Sequence, residues 1–558
     1  MNQLSTAWHN AQRRWSQFLV MSDPLADDTL EHPAQIDMGT RQVSVNLALL
    51  EEKGVSDCLE ALLAHELGHH VRWPASMAVE ARLRILQRQL VPIENYSLTN
   101  LFEDLLINEH LADDYRDEFI RLYRAVVDPK HWQNDPAFFF YMAVYEELWR
   151  LEPDTLMGGC ADDYEDEYPN YRAEAQLLAQ NLYRLGPNIY TQFTYFLSVF
   201  VRYIKPPEEK QKTILIFRPL EDLVGEPSAE DWADALIPTA KELEAIQRAI
   251  DEGWLSIGDS EHLERAKELE RRIGGLPGVG GANAEKVPEI MAAFYRRKAE
   301  EFLLRPPTQP SLGEAVVPTT MREWEPGRPV GSIDWMQTFL TQGEELGRAL
   351  PLERERIAEI EGYEVPMWQP RMEIYLDVSG SMPDPRFSLN AMTLAAQILC
   401  VGTIRAGGFV RALMYSHHYV DYWEWCRSEV EMSRFLMHYV GGGTEFPFER
   451  LRESVTECGG RQPIRVIITD HDFDRNYEDG DNTASIFGEA CTRSAQVVIL
   501  KHTAPYGLPD DFPNHDKAYR RHGATVIGVT ALDDFPRVAA DLAFAFFEAD
   551  NNHLTPQH

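Results

Sequence analysis

Met372-Glu-Ile-Tyr-Leu-Asp-Val-Ser-Gly-Ser381 is an apolar run that ends on an acid and two spaced hydroxyls. The MEIYL portion, 372–376, reads as a buried strand. The change to Asp377-Val378-Ser379-Gly380-Ser381 reads as a tight loop at that strand's carboxyl end. Further apolar runs follow at 409–415 (FVRALMY), 464–469 (IRVIIT), 496–500 (QVVIL) and 524–529 (ATVIGV). Helices are expected between most of them, at 387–402, 431–438, 446–456, 485–493 and 535–547. Apolar strands alternating with helices predict a parallel sheet covered on both faces, a doubly wound α/β domain over 366–558. Such sheets bind ligands at the carboxyl ends of their strands.

The loop chemistry points to a hard cation. Asp377, Ser379 and Ser381 offer one carboxylate and two hydroxyls, and Mg²⁺ takes oxygen ligands octahedrally while keeping several waters. Two more oxygen donors follow in order. Thr444 closes the Gly-rich Gly441-Gly442-Gly443-Thr444, and Asp470 ends the run Val466-Ile467-Ile468-Thr469-Asp470. The five-part set resembles the metal-ion-dependent adhesion site of von Willebrand factor A domains. The resemblance implies Mg²⁺ (Mn²⁺ or Ca²⁺ as alternatives) at these five residues. It also implies a protein partner whose carboxylate takes the open metal position, so that the site binds and does not catalyse. The chain departs from the family at His471-Asp472, where Gly is frequent. Asp472 and Asp474 are expected as solvated loop residues.

A second signature lies near the other end. Ser56–Arg72 repeats apolar residues at helical spacing (Leu59, Leu62, Leu63, Leu67), with Pro74 just beyond. This helix carries His65-Glu66-Leu67-Gly68-His69, an HExxH. Residues four apart share a helix face, so His65 and His69 can hold one Zn²⁺, with Glu66 beside them as the base that takes a proton from water. Gly68 permits close approach of another segment. Leu101–Tyr123 reads as a second amphipathic helical region, and at its start Asn100, Asp104 and Asn108, spaced by four, line one face. Asp104 is the preferred third ligand, Glu103 its near rival and Glu109 a third choice. Asn100 and Asn108 suit the outer role of orienting ligands. Three protein ligands leave one position open, as catalytic zinc requires.

The combination resembles the metallopeptidase-like domains found upstream of von Willebrand factor A domains in bacterial proteins. Those carry HExxH followed by a helix patterned N-x-x-x-D-x-x-I-N, matched here by Asn100, Asp104, Ile107 and Asn108. The resemblance implies zinc and a mainly α, zincin-like domain over 1–205, with Glu66 as the catalytic residue. It implies work alongside a MoxR-type AAA+ ATPase on a protein client, since the chain shows no ATPase motif of its own. Two alternatives stay open: a non-enzymatic chaperone or adaptor whose zinc is structural, and a regulated protease of a bacterial conflict system.

Between the two lies an expected helical connector, 206–365. It begins with a strand-like TILIF (213–217) and contains the Gly-rich 274–283. That stretch lacks GK[ST], which excludes a P-loop and leaves a flexible linker. QVSVNLALL at 42–50 is expected as an edge strand, and the acidic ADDYEDEYP at 161–169 as a solvated loop. The 558 residues carry a net charge of −36, which disfavours nucleic acid and anionic membrane as partners. The six cysteines form no CxxC and read as reduced thiols. The N-terminus lacks a signal-peptide pattern and the most apolar stretch is too short to span a bilayer, so a cytoplasmic location is expected.

Overall fold

The computed structural model describes residues 3–90, 98–204, 223–254, 286–303, 318–326, 333–342, 350–356, 369–457, 462–503 and 513–549, with a few isolated positions between them. TILIF, nearly all of the Gly-rich 274–283 and Cys458 lie outside the described residues. The chain divides into two compact units. One comprises Met1–Lys298, Gly380–Thr393 and Ser433–Gly441, and the other Ala299–Ser379, Leu394–Met432 and Gly442–His558.

The first unit is mainly helical. Its principal helices are α1 (Gln3–Trp15), α2 (Leu59–Val71), α3 (Met77–Leu90), α4 (Leu98–Val126), α5 (Pro136–Trp149), α6 (Ala161–Glu167), α7 (Tyr171–Asn181) and α8 (Ile189–Phe200). The start of α4 is buried on every side, from Leu98 to Asn108, which makes it the centre of the core. In α5, Pro136 to Glu146 is continuously buried. Its aromatic side chains each bring roughly 2–3 kcal/mol of apolar burial to that core. Asp135 caps α5 by accepting from Phe138 N, and Pro136 sits in the first turn, where its missing N–H costs nothing. The helix α4 is broken at Tyr115 (φ −127°, ψ 15°), so its second half leaves the axis of the first.

Short strands β1 (Leu25–Ala26), β2 (Ala34–Asp37), β3 (Gln42–Val45) and β4 (Leu223–Val224) form a sheet of order β1-β3-β2-β4. The QVSV segment is therefore an inner strand and not an edge. The strand stops at Val45, where Asn46 caps a helix over Leu47–Glu52 by accepting from Leu49 N. The acidic 161–167 is also corrected: it is the helix α6, held because Tyr164 is fully buried and its hydroxyl donates to Pro136 O. A single well-placed aromatic outweighs the run of charges around it.

The second unit contains a two-stranded antiparallel sheet, β5 (Pro318–Glu323) with β6 (Leu352–Arg356), and a six-stranded sheet. The latter comprises β7 (Arg371–Asp377), β8 (Phe409–Tyr415), β9 (Tyr419–Cys426), β10 (Ile464–Thr469), β11 (Gln496–His502) and β12 (Thr525–Val529). Its order is β12-β11-β10-β7-β8-β9, parallel throughout except for β9. The expected doubly wound sheet is present, with one strand the apolar runs did not reveal. The edge strand β9 is half exposed, so its sequence, YVDYWEWC, lacks the continuous apolar pattern of a buried strand. The intervening helices include α9 (Ala391–Arg405), α10 (Phe448–Glu457), α11 (Phe473–Asp479), α12 (Thr483–Thr492), α13 (Asp516–Arg521) and α14 (Phe535–Ala549).

Glu373 on β7 is fully buried and binds Arg411 on β8 (2.6 Å) and Arg465 on β10 (2.7 Å), with Ser454 Oγ donating to it at 2.7 Å. Burial alone would raise its carboxyl, but the two guanidinium charges prevail and hold it below its ordinary value. This network ties the three central strands together near their amino ends, opposite the loops that follow Asp377 and Thr469.

Candidate metal centres

The first centre is built from α2 and α4. The two helices approach closely at Gly68, where an added Cβ would meet Ile107 Cγ2 at 2.6 Å and Trp15 Cζ2 at 3.0 Å. This approach places Asp104 opposite the two histidines. Asp104 Oδ1 lies 3.3 Å from His69 Nε2 and 3.5 Å from His65 Nε2. The three donor atoms all fall within 4.8 Å of one another, and all three residues are buried.

The outer partners fix which ring nitrogens face that point. His69 Nδ1 lies 3.0 Å from Trp73 O, which can only accept, so Nδ1 carries the proton. His65 Nδ1 lies 2.7 Å from Asn108 Oδ1, while Asn108 Nδ2 donates to Tyr123 OH (2.7 Å) and Tyr145 OH (2.9 Å). Both imidazoles thus aim Nε2 lone pairs at Asp104 Oδ1, a buried carboxylate oxygen that accepts no hydrogen bond. Two lone pairs and an anionic oxygen converging at a buried point repel one another. A divalent cation removes that repulsion, and two imidazoles with one carboxylate suit zinc. Asn100 Nδ2 reaches Asp104 Oδ2 at 3.3 Å and sets the carboxylate's rotation. Tyr145 OH donates to Asp104 O (3.2 Å) and fixes the backbone beneath it.

Glu103 stands elsewhere. Its Oε2 lies 3.7 Å from His69 Nδ1, on the side of the ring away from Asp104. Burial and the neighbouring Glu80 push its carboxyl well above the ordinary range. Glu109 accepts from Trp149 Nε1 at 3.0 Å and is not in the donor cluster. Glu66 lines a cavity of about 60 Å³ together with His65, Asp104, Asn108 and Tyr123. Its other walls are apolar: Leu62, Pro33, Ala34, and Phe119, Leu122 and Val126 from α4 beyond its break. Sequence reasoning missed Tyr123, Tyr145 and Trp73. Their places depend on the break at Tyr115 and on helix packing, neither of which has a local signature.

The second centre lies at the carboxyl ends of β7 and β10, which are neighbours in the sheet although not in sequence. Such a reversal of strand order leaves a crevice. Asp377, Ser379 and Asp470 are all nearly fully buried there. Asp377 Oδ1 accepts from Ser379 N (2.9 Å) and Oδ2 from Thr469 Oγ1 (3.3 Å). Burial, and then the negative charge of Asp470, push the Asp377 carboxyl up to about 7 in spite of those bonds. A buried acid whose ionisation is disfavoured by burial and by a neighbouring buried carboxylate, with hydroxyls beside it, suits a hard cation. Thr444 is half-buried on its loop, and Ser381 is exposed. Asp474 is corrected: it is buried, not solvated, and binds Lys501 Nζ (2.9 Å) and Tyr519 OH (2.8 Å). Asp472 donates its backbone N–H to Asp470 Oδ1 at 2.9 Å. Asn476 and Ser416, which bond to the backbone of the Thr444 loop, carry no ligand pattern in the sequence.

Strand order and loop placement define the class of the second unit's large sheet: a doubly wound α/β domain. No protein-family model matches the chain, and no curated protein matches it. Solved structures that match include the BatB protein of Bacteroides thetaiotaomicron (14% identity, TM-score 0.25, covering 32% of this chain and 99% of that one). A von Willebrand factor type A protein of Catenulispora acidiphila matches at 12% identity and TM-score 0.24, over 31% of this chain and 42% of that one. The RO (RSR) protein of Deinococcus radiodurans matches over 96% of this chain and 100% of its own, at 13% identity and TM-score 0.22. Among the described residues, no helix is long and apolar enough to cross a membrane.

Proposed function

We propose that the chain is a two-centre metalloprotein, a zinc-dependent peptidase unit carried with a Mg²⁺-dependent protein-binding domain. The observation that carries the first half is the convergence of His65 Nε2, His69 Nε2 and Asp104 Oδ1 beside a cavity that Glu66 lines. His65, His69 and Asp104 would hold the zinc, which supplies Lewis acidity toward a carbonyl and toward water. Glu66 is the base that accepts a proton from water and returns it to the leaving amine. Asn108, Trp73 O and Asn100 hold the three donors in orientation. The donor group has three members among the described residues, which favours an open, hydrolytic position over a sealed structural one.

In the second half, Asp377, Ser379, Ser381, Thr444 and Asp470 would hold Mg²⁺, and a carboxylate of a partner protein completes the site. The buried Asp377, whose carboxyl is pushed up by burial and by the charge of the neighbouring buried Asp470, supports this reading. The resemblance noted from the sequence makes a MoxR-type AAA+ ATPase the partner to try first. The test is direct. Purified full-length protein is assayed for bound zinc and for cleavage of an unfolded protein substrate, beside Glu66→Gln. Zinc retained with cleavage abolished supports the peptidase reading; equal cleavage by both proteins sinks it. Capture of the ATPase in Mg²⁺ is compared with capture in EDTA and by Asp377→Ala, and capture unchanged in both sinks the adhesion reading.

A further inference from the structure

The loop carrying Thr444 is gripped at four consecutive residues by only two side chains and one backbone carbonyl. Ser416, just after β8, donates from Oγ to Gly443 O (2.8 Å), and its own carbonyl accepts from Glu445 N (2.8 Å). Asn476, in α11, donates from Nδ2 to Thr444 O (2.9 Å) and accepts at Oδ1 from Phe446 N (3.0 Å). The same Nδ2 also donates to Asp472 O at 2.9 Å, and Asp472 N donates to Asp470 Oδ1. One amide therefore links the Thr444 loop to the Asp470 loop. Gly442 lets the chain enter this grip: its φ is +94°, and a Cβ there would meet His417 Nδ1 at 2.5 Å.

A hydroxyl and a carboxylate on separate loops can serve one small ion only if both loops are held in register. Mg²⁺ demands near-octahedral geometry, so displacement of a donor costs affinity. Asn476 bonds Thr444 O and Phe446 N on one loop and Asp472 O on the other. We propose that Asn476, assisted by Ser416, is a positioning residue that holds Thr444 in register with Asp470 for the cation. This rests on the reading of the second centre as a cation site.

The experiment is Mg²⁺ calorimetry on the full chain, with Asp377→Ala as the blank for binding elsewhere, and thermal melting in EDTA. Asn476→Ala is expected to weaken Mg²⁺ at this centre by roughly 10- to 100-fold, the usual effect of losing a group that orients a metal ligand. In a Thr444→Ala background the same substitution is expected to add less than about 2-fold, because the residue acts through Thr444. Asn476→Asp, equal in shape, keeps the acceptor for Phe446 N but loses the donor to Thr444 O. It is expected to weaken Mg²⁺ likewise, and it carries the test if the alanine variant fails to fold. Wild-type affinity in the Asp variant overturns the inference, as does an undiminished loss in the Thr444→Ala background. If Asp377→Ala binds Mg²⁺ as the wild type does, the cation reading itself fails and the inference with it. Loss in Asp377→Ala and Thr444→Ala without loss in either Asn476 variant defeats the inference alone.

Discussion

The two centres solve one problem, holding oxygen and nitrogen donors in place, by opposite means. In the first, the donors sit on helices α2 and α4, whose backbones are rigid. What needs fixing there is the rotation of side chains, and hydrogen bonds to the imidazole Nδ1 atoms and to Asp104 Oδ2 do so. In the second, the donors sit on loops after β7 and β10 and on the Gly-rich 441–444. What needs fixing there is the backbone, and Ser416 and Asn476 bind main-chain atoms of the Thr444 loop. Rigid elements allow a site to be tuned through side chains; loop sites must first be given a backbone.

The largest effect expected from breaking this contrast is chemical. Glu66→Gln leaves the donors and their outer partners in place, so zinc content stays at the wild-type level. Peptide cleavage, followed by mass spectrometry, falls roughly 10²- to 10⁴-fold, the usual share of a general base. Next is the sheet that supports the loop centre. Glu373→Gln removes the carboxylate shared by the buried Arg465 and Arg411, the latter keeping Glu457 at 3.5 Å, and denaturant unfolding should show a loss of roughly 3–5 kcal/mol. The pH dependence has a definite sign. The Glu373 carboxyl is held below its ordinary value of 4.5, so its contribution is complete above that pH and is lost as pH falls through the folded value. The stability gap between wild type and variant should close on acidification; a gap that widens would show that the ion network does not stabilise the sheet.

Smaller effects sharpen the helical side of the comparison. Asn108→Leu removes the acceptor that orients His65 and is expected to weaken zinc by roughly 10- to 100-fold in competition with a chelating dye. Unchanged affinity would mean that helix packing alone aims the ring. Gly68→Ala forces a methyl into Ile107 and should cost about 1–3 kcal/mol in thermal unfolding. Because Ile107 lies three residues from Asp104, some loss of zinc affinity should accompany it. No comparable coupling is expected for Gly443, where an added Cβ meets open space.

Much of this molecule could be read from local pattern. Helical spacing placed His65 and His69 on one face, and the same period placed Asn100, Asp104 and Asn108 together. Apolar runs ending on Asp377 and Asp470 marked two strand ends, because a strand buried on both faces leaves a continuous apolar record. The half-exposed β9 leaves no such record and was not foreseen. The helix α6 was hidden by its charges, since its stability comes from Tyr164 in a core that only distant residues complete.

What the sequence determined by itself, then, was the identity and order of the donors, because ligand chemistry and short periodicities are local. Only the tertiary structure decided the rest. It turned Asp104 toward the Nε2 atoms and left Glu103 behind the ring, since adjacent residues on a helix point about 100° apart and packing at Gly68 chooses between them. It also set β7 beside β10, so that two acids 93 positions apart became neighbours, and gave their loops the clamp at Asn476. Strand order and helix approach are settled by which apolar faces bury one another, and that choice belongs to the whole chain.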